Sequence, residues 1–218
     1  MRCRDPDRSA ARRCGALDQG VALIAILDVC AGNLRSVERA IARVGGDVVV
    51  TRDPETVRRA DKLVVPGQGA FGVFMRGLGE RGLGEALREA IARGTPYLGI
   101  CLGLQVLFEH SEEGDCAGLG ILRGRVTRLR PGDPRLKIPH IGWNQVHGRA
   151  RGIADGAHVY FVHSYRVEPE DRSIVALETE HGVTFCAAIQ RDNLFACQFH
   201  PEKSQAVGLR MLEELVRS

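Results

Sequence analysis

The sequence predicts an α/β fold: a mainly parallel central sheet flanked by helices, with an additional antiparallel β portion. Three observations carry this. Between residues 21 and 100, short β-branched runs alternate with amphipathic helical patterns, as parallel strands joined by helical crossovers require. Beyond residue 124, strand-like runs follow one another with little but turns between them, the arrangement of antiparallel neighbours. The 218 residues are 44% hydrophobic and 26% charged, ordinary globular values that exclude disordered, collagen-like and coiled-coil chains.

Residues 1–20 carry few large apolar side chains and no periodicity, and are expected to be a disordered extension or a product of start-site choice. The remainder, residues 21–218, is read as one domain. Residues 21–28 form a strand, 34–44 a helix and 47–51 a strand. Residues 62–65 form a strand ending in Pro-Gly, 83–93 an amphipathic helix closed by Gly94, and 96–100 a strand. A helix is expected over 102–110. Strands follow over 124–129, 160–167, 174–180, 184–189 and 194–199, with a hairpin turn at Gln190-Arg191-Asp192-Asn193, and residues 204–216 form a closing amphipathic helix. In a parallel sheet covered on both faces, ligands bind at the carboxyl ends of the strands, so motifs placed there take priority.

Charge narrows the function. Lys and Arg number 30 against 27 Asp and Glu, a net +3, too small a surplus for a protein whose main task is to neutralise nucleic-acid phosphates. Most of that surplus lies in residues 1–20, and the rest of the chain is almost neutral. Seven cysteines with no Cys-x-x-Cys pair argue against a disulfide framework and a zinc ribbon, and fit free thiols in a reducing cytoplasm. No apolar run reaches the roughly 18 residues needed to span a bilayer, so no membrane association is expected. The histidines show no metal-ligand spacing, and no metal or cofactor is expected.

Three segments carry the chemistry. Gly99-Ile100-Cys101-Leu102-Gly103-Leu104-Gln105 sets a cysteine between a buried strand and a helix, a thiol version of the nucleophile elbow. Its glycines admit a tight turn and a substrate, and the helix N-terminus favours a thiolate. The competing reading is a small buried hydrophobe, the usual fate of a free cysteine, and the elbow pattern favours function over it. His200-Pro201-Glu202 ends the strand over 194–199. Proline extends the residue before it, so His200 can face Cys101 while Glu202 supports the far ring nitrogen. Pro66-Gly67-Gln68-Gly69-Ala70-Phe71-Gly72 follows a third strand. It lacks a Gly-Lys-Ser/Thr, so it is no phosphate loop, but it can offer a backbone N–H opposite the one after Cys101, completing an oxyanion hole. Trp143, the single tryptophan, fits either core packing or an interface anchor.

Together these segments resemble the class I (triad) glutamine amidotransferases. Gly32-Asn33-Leu34-Arg35-Ser36, the 66–71 loop, Pro139-His140-Ile141-Gly142-Trp143-Asn144 and Tyr160-Phe161-Val162-His163-Ser164-Tyr165 are most similar to the glutaminase subunits of imidazole glycerol phosphate synthases, over roughly residues 22–217. The resemblance implies a Cys101-His200-Glu202 triad that hydrolyses L-glutamine, with the oxyanion held by N–H groups of Gly67, Gln68 and Leu102. It implies glutamine binding by Gln105, Ser164 and Tyr165. It also implies a heterodimer with a (β/α)₈ cyclase subunit that receives the ammonia, contacted through Asn33, Trp143, Asn144 and Lys203. Two positions depart from the family: Asp28-Val29-Cys30-Ala31-Gly32 replaces the common Asp-Tyr-Gly-x-Gly, placing a non-catalytic thiol near the expected interface, and Gln68 stands where valine is frequent. Competing readings are an amidotransferase serving anthranilate, guanylate or carbamoyl phosphate synthesis, which Leu104 and the Pro-His-Ile-Gly-Trp-Asn segment disfavour, and a catalytically silent regulatory module, which the intact triad disfavours.

Overall fold

The computed structural model describes residues 22–29 and 33–218, so the expectations for residues 1–20 and for Cys30 lie outside the described residues. Its first half runs β1 (Ile24–Leu27), α1 (Leu34–Arg43), β2 (Val48–Thr51), α2 (Pro54–Arg59), β3 (Lys62–Gly67), α3 (Phe71–Glu80), α4 (Leu83–Ala92), β4 (Tyr97–Cys101) and α5 (Leu102–Gln105). Strands dominate the second half: β5 (Phe108–Ser111), β6 (Cys116–Ala117), β7 (Leu122–Arg128), β8 (His140–Gly148), β9 (Ala157–His163), β10 (Tyr165–Pro169), β11 (Val175–Glu180), β12 (Thr184–Arg191) and β13 (Leu194–Cys197), closed by α6 (Gln205–Arg217).

Nine strands form one sheet in the order β2-β1-β3-β4-β13-β12-β11-β8-β9. It is parallel from β2 to β13 and antiparallel from β13 to β9. A smaller sheet, β10-β7-β5-β6, packs beside it. Both faces of the inner parallel strands are buried, and β1 shows how. Ala25 and Leu27 join the core under α3 and α4, with Phe71, Phe74, Leu78 and Leu87. The alternate residues Ile24 and Ile26 join the core under α1 and α6, with Val37, Ile41, Met211 and Leu212. A strand whose successive side chains meet two different cores must be apolar throughout, which is why Ile-Ala-Ile-Leu carries no polar residue. Lys62, the buried residue that opens β3, donates from Nζ to the carbonyls of Leu215, Val216 and Ser218 at 2.8, 2.8 and 2.7 Å, capping the C-terminal turn of α6.

The predicted fold class holds, and several elements differ. The helix expected over 102–110 stops at Gln105, and Phe108–Ser111 is a strand. Leu104, Val106, Leu107 and Phe108 are all fully buried, so this run has no polar face for a surface helix to show, and Phe108 pairs with Leu122 of β7 instead. The strand expected over 160–167 is two, because the chain leaves the large sheet after His163 and enters the small one at Tyr165. The Ser164 carbonyl at the break accepts the Leu129 N–H at 2.8 Å. Residues 198 and 199 lie beyond the end of β13. Four elements carried no expectation: the two-residue β6 and three longer ones. α2 starts at an Asp53 N-cap whose carboxylate accepts from Glu55 and Thr56 N–H. α3 contains Gly72, Gly77 and Gly79, poor helix formers, and is held by burial of Phe71, Phe74 and Leu78. β8 is broken in pattern by Gly142 and ends at Gly148, both at positive φ.

Candidate active site

β3, β4 and β13 are adjacent and parallel, so Gly67, Cys101 and the segment after Cys197 arrive together at the carboxyl ends of these strands. Cys101 sits there at φ 56° and ψ −104°, a left-handed conformation that costs a non-glycine residue about 1–3 kcal/mol and here turns the chain from β4 directly into α5. The strain falls on the cysteine itself. The glycines around it serve close approach: a Cβ on Gly103 would lie 1.9 Å from the Val65 carbonyl oxygen, one on Gly99 2.5 Å from the Gly103 oxygen, and one on Gly67 2.4 Å from Leu102 Cβ. The elbow is thus wedged against β3, bringing the 67–69 loop beside the first turn of α5, which no side chain caps. Tyr97, fully buried, secures the turn by donating to the Gly103 carbonyl at 2.7 Å.

His200 is 2% exposed and extended at φ −105° and ψ 100°, as the residue before a proline must be. Its N–H donates to the Tyr160 carbonyl at 2.9 Å, and Ser204 Oγ donates to its carbonyl at 2.7 Å while accepting from Tyr160 N. With the backbone fixed on both sides, Nδ1 meets Glu202 Oε1 at 2.8 Å, and the two side chains are almost wholly buried. Nε2 makes no hydrogen bond of ordinary geometry among the described residues, although Cys101 lies close enough to act on it electrostatically. Burial pulls the imidazole pKa down, but the Cys101 sulfur and the Glu202 carboxylate outweigh it and raise the pKa to about 9. The raised pKa favours the imidazolium, a proton donor held next to the cysteine.

These groups open onto a cleft of about 380 Å³ lined by Gln68, Cys101, Gln105, Ser164, His200 and Lys203, among others. A second hollow, of about 210 Å³, lies between the β12–β13 hairpin and α6 and contains neither cysteine nor histidine. Among the described residues no cluster of three or more His, Cys, Asp or Glu side chains is arranged to hold a metal ion, and no helix is long and apolar enough to cross a membrane.

Residues 25–217 match the family model described as glutamine amidotransferase class-I. The imidazole glycerol phosphate synthase subunit HisH of Synechococcus sp. is 51% identical over 200 residues, covering 88% of this chain and 92% of that protein. The HisH of Aquifex aeolicus is 50% identical over 199 residues, covering 88% and 95%. The chain belongs to the HisH family of class I glutamine amidotransferases. Solved structures share the fold at low identity. A crystal structure of glutamine amidotransferase superposes with TM-score 0.71 at 19% identity, covering 89% of this chain and 99% of that one. The glutaminase domain of Trypanosoma brucei CTPS with bound acivicin gives 0.65 at 14%, covering 91% and 95%.

Of the residues that resemblance to this amidotransferase family picks out, Gln68, Cys101, Leu102, Gln105, Ser164, Tyr165, His200 and Lys203 line the cleft beside Cys101. Gly67, Glu202 and Asn33 line a small hollow on the other side of His200. Trp143 and Asn144 lie on β8, away from the cleft. Trp143 is 46% exposed and packs edge-on against Tyr160, whose ring lies 5.6 Å from Lys203 Nζ, so the three form one continuous surface running to the cleft. Asn144 is committed within the chain, donating to the Glu180 carbonyl at 2.7 Å. Gln105 Nε2 donates to both the Tyr165 carbonyl and Gln198 Oε1, at 3.2 and 3.0 Å. Its two N–H bonds are thereby used, and only its carbonyl oxygen remains for a ligand.

Sequence reasoning passed over Glu113, His163 and Gln198. Glu113 lines the cleft and fixes the start of α3 by accepting the Phe71 N–H at 3.0 Å. His163 Nδ1 donates to the Tyr165 carbonyl at 2.9 Å, leaving Nε2 to accept from His140 Nδ1 at 3.0 Å. Burial holds both rings neutral, with pKa values lowered to about 4 at His140 and about 3 at His163. Gln198, fully buried, places Nε2 3.5 Å from Cys101 Sγ. The signal for it was a lone amide in Leu194-Phe195-Ala196-Cys197-Gln198-Phe199, since a polar side chain in such a run is retained only where it finds partners.

Proposed function

We propose that this chain is the glutaminase subunit of an imidazole glycerol phosphate synthase, hydrolysing L-glutamine to glutamate and ammonia. The observation that carries the reading is the elbow cysteine beside a buried, carboxylate-supported histidine at the carboxyl ends of three adjacent strands, in a chain half identical to HisH proteins. That identity also favours the histidine-pathway partner over anthranilate, guanylate or carbamoyl phosphate synthases.

In this reading Cys101 Sγ attacks the side-chain carbonyl carbon of glutamine, its proton resting on His200 Nε2. N–H groups of Leu102, Gly67 and Gln68 hold the oxyanion, each donor contributing about 10²-fold or more in rate. The tetrahedral adduct expels the amine nitrogen, which leaves as ammonia with the proton from His200. Water then attacks the γ-glutamyl thioester, His200 accepts its proton, and glutamate departs as the sulfur is regenerated. Glu202 keeps Nδ1 protonated and the ring oriented throughout. Gln105, Ser164 and Tyr165 hold the substrate; the acceptor oxygen left on Gln105 suits an ammonium or amide N–H.

Residues 21–218 act as one amidotransferase domain of a cytoplasmic protein, and the partner is a (β/α)₈ cyclase that consumes the ammonia. Asn33, Trp143, Asn144 and Lys203 mark the docking face. The exposed indole and its contiguity with the cleft through Tyr160 and Lys203 support this. The test is glutamine hydrolysis by the purified chain with and without the co-expressed cyclase. Turnover should rise strongly in the complex and vanish in Cys101→Ala with the complex intact. Co-purification with a synthase of tryptophan or purine synthesis would overturn the partner assignment.

A further inference from the structure

We propose that Gln198 is a catalytic residue whose amide N–H holds the Cys101 sulfur as a thiolate. The inference rests on the reading of Cys101 as nucleophile and adds a donor to it. Gln198 is fully buried, and its Nε2 lies 3.5 Å from Cys101 Sγ, an ordinary N–H···S separation.

The direction of that contact follows from a chain of hydrogen bonds that ends on the backbone. The Tyr165 carbonyl can only accept, and it takes His163 Nδ1–H at 2.9 Å and Gln105 Nε2–H at 3.2 Å. Gln105 must therefore turn its NH₂ toward Tyr165. The same nitrogen lies 3.0 Å from the Gln198 side chain, which must then present oxygen to it. Gln198 is left with its NH₂ facing the sulfur. Turning either amide over would set two acceptors or two donors against each other, and both Gln105 and Gln198 are buried.

A donor aimed at sulfur stabilises the charged form over the neutral one. The thiolate thus has Gln198 N–H on one side and the His200 imidazolium on the other, and the proton leaving Sγ passes to His200 Nε2 without unpairing the sulfur. The other titratable groups near the sulfur are Glu113, His163 and Lys203 in the cleft, Glu202 behind His200, and Cys197, whose own thiol burial keeps protonated. Among these, none is within hydrogen-bonding reach of Sγ. Gln105, through its bond to Oε1, is a positioning residue for this amide as well as a candidate substrate ligand.

The experiment measures the pH dependence of Cys101 alkylation by iodoacetamide in the full chain bound to its partner subunit, read on the Cys101 peptide by mass spectrometry, together with glutamine turnover. Gln198→Met keeps the length and removes the donor. Gln198→Glu keeps the bond from Gln105 and turns a carboxylate oxygen on the sulfur, so it reports even if the methionine variant fails to fold. The alkylation midpoint should rise by about one pH unit in Gln198→Met and further in Gln198→Glu. The kcat should fall about 10- to 100-fold while KM for glutamine stays within about threefold. Folded variants with an unmoved midpoint and unchanged kcat would overturn the proposal, as would a loss of kcat with no shift in midpoint, the result of a purely structural role. Glutamine turnover by Cys101→Ala would instead refute the nucleophile reading beneath it.

Discussion

Gly103 is the position where one methyl group separates the geometry of the elbow from mere resemblance to one. An added Cβ would meet the Val65 carbonyl oxygen at 1.9 Å, and ordinary contact begins near 3.4 Å, so α5 and β3 must part by about 1.5 Å. The obstacle is backbone and cannot rotate aside. Cys101 and Leu102 belong to the piece that moves, while Gly67 and Gln68 belong to the piece they move from, so the displacement opens the proposed oxyanion hole. Misplacement by about 1 Å costs on the order of 10²-fold in rate, and forcing a methyl into packed backbone costs about 1–3 kcal/mol in stability. Gly103→Ala in complex with the partner should therefore lose about 10²-fold in glutaminase kcat and melt several degrees lower. Gly79→Ala is the matched control. It lies in a helix with nothing among the described residues within 4 Å of the new Cβ, and should leave kcat unchanged and stability equal or up to about 1 kcal/mol higher. A Gly103→Ala enzyme with normal kcat and melting temperature would refute the wedge as the device that sets the site.

Further outcomes follow from other contacts. Lys62→Met removes three charge-assisted hydrogen bonds to the end of α6 and should destabilise the chain by about 2–4 kcal/mol in urea unfolding; a change below about 0.5 kcal/mol would contradict the capping role. Glu202→Gln removes one of the groups that raise His200 against the pull of burial, so the alkaline limb of kcat/KM, expected near 9, should move down by about a unit, and an unmoved limb would exclude His200 as the proton donor to ammonia. His163 keeps a pKa of about 3 in the fold against about 6.5 unfolded, so the unfolded chain binds the extra proton and stability falls as pH drops from about 6.5 toward 3, by about 1.4 kcal/mol per pH unit. His163→Gln should flatten this slope in denaturant melts between pH 6 and 4.5. Trp143→Ala should weaken partner binding about 30-fold by calorimetry while the chain melts normally, and unchanged affinity would remove the indole from the docking face.

The elbow and the His200-Pro201-Glu202 segment were legible because each is encoded within a few residues: an extended residue before proline, and a cysteine between a strand and a helix. What brings them together was legible only as a rule about strand ends, since the β3-β4-β13 adjacency joins segments some 130 residues apart and has no local signature. The same applies to Gln198. Its isolation in an apolar run marks it as polar and buried, but its partners Gln105 and Cys101 come from α5 and β4, far away in the sequence. The chain leading into β5 was misread as helix because residues 104–108 are buried throughout and have no period to read, and β8 escaped because its glycines resemble a loop. The glycines of the elbow were correctly singled out, although their task is to let α5 touch β3, and the positive φ is borne by Cys101.

The central claim, that Cys101 carries the glutamyl group, is tested most directly by quenching the complex in acid during glutamine turnover and mapping the chain by mass spectrometry. A γ-glutamyl adduct on the Cys101 peptide, absent in Cys101→Ala and accumulating when His200→Asn slows hydrolysis of the thioester, is the predicted result. An adduct on another cysteine, or continued turnover by Cys101→Ala, would contradict it.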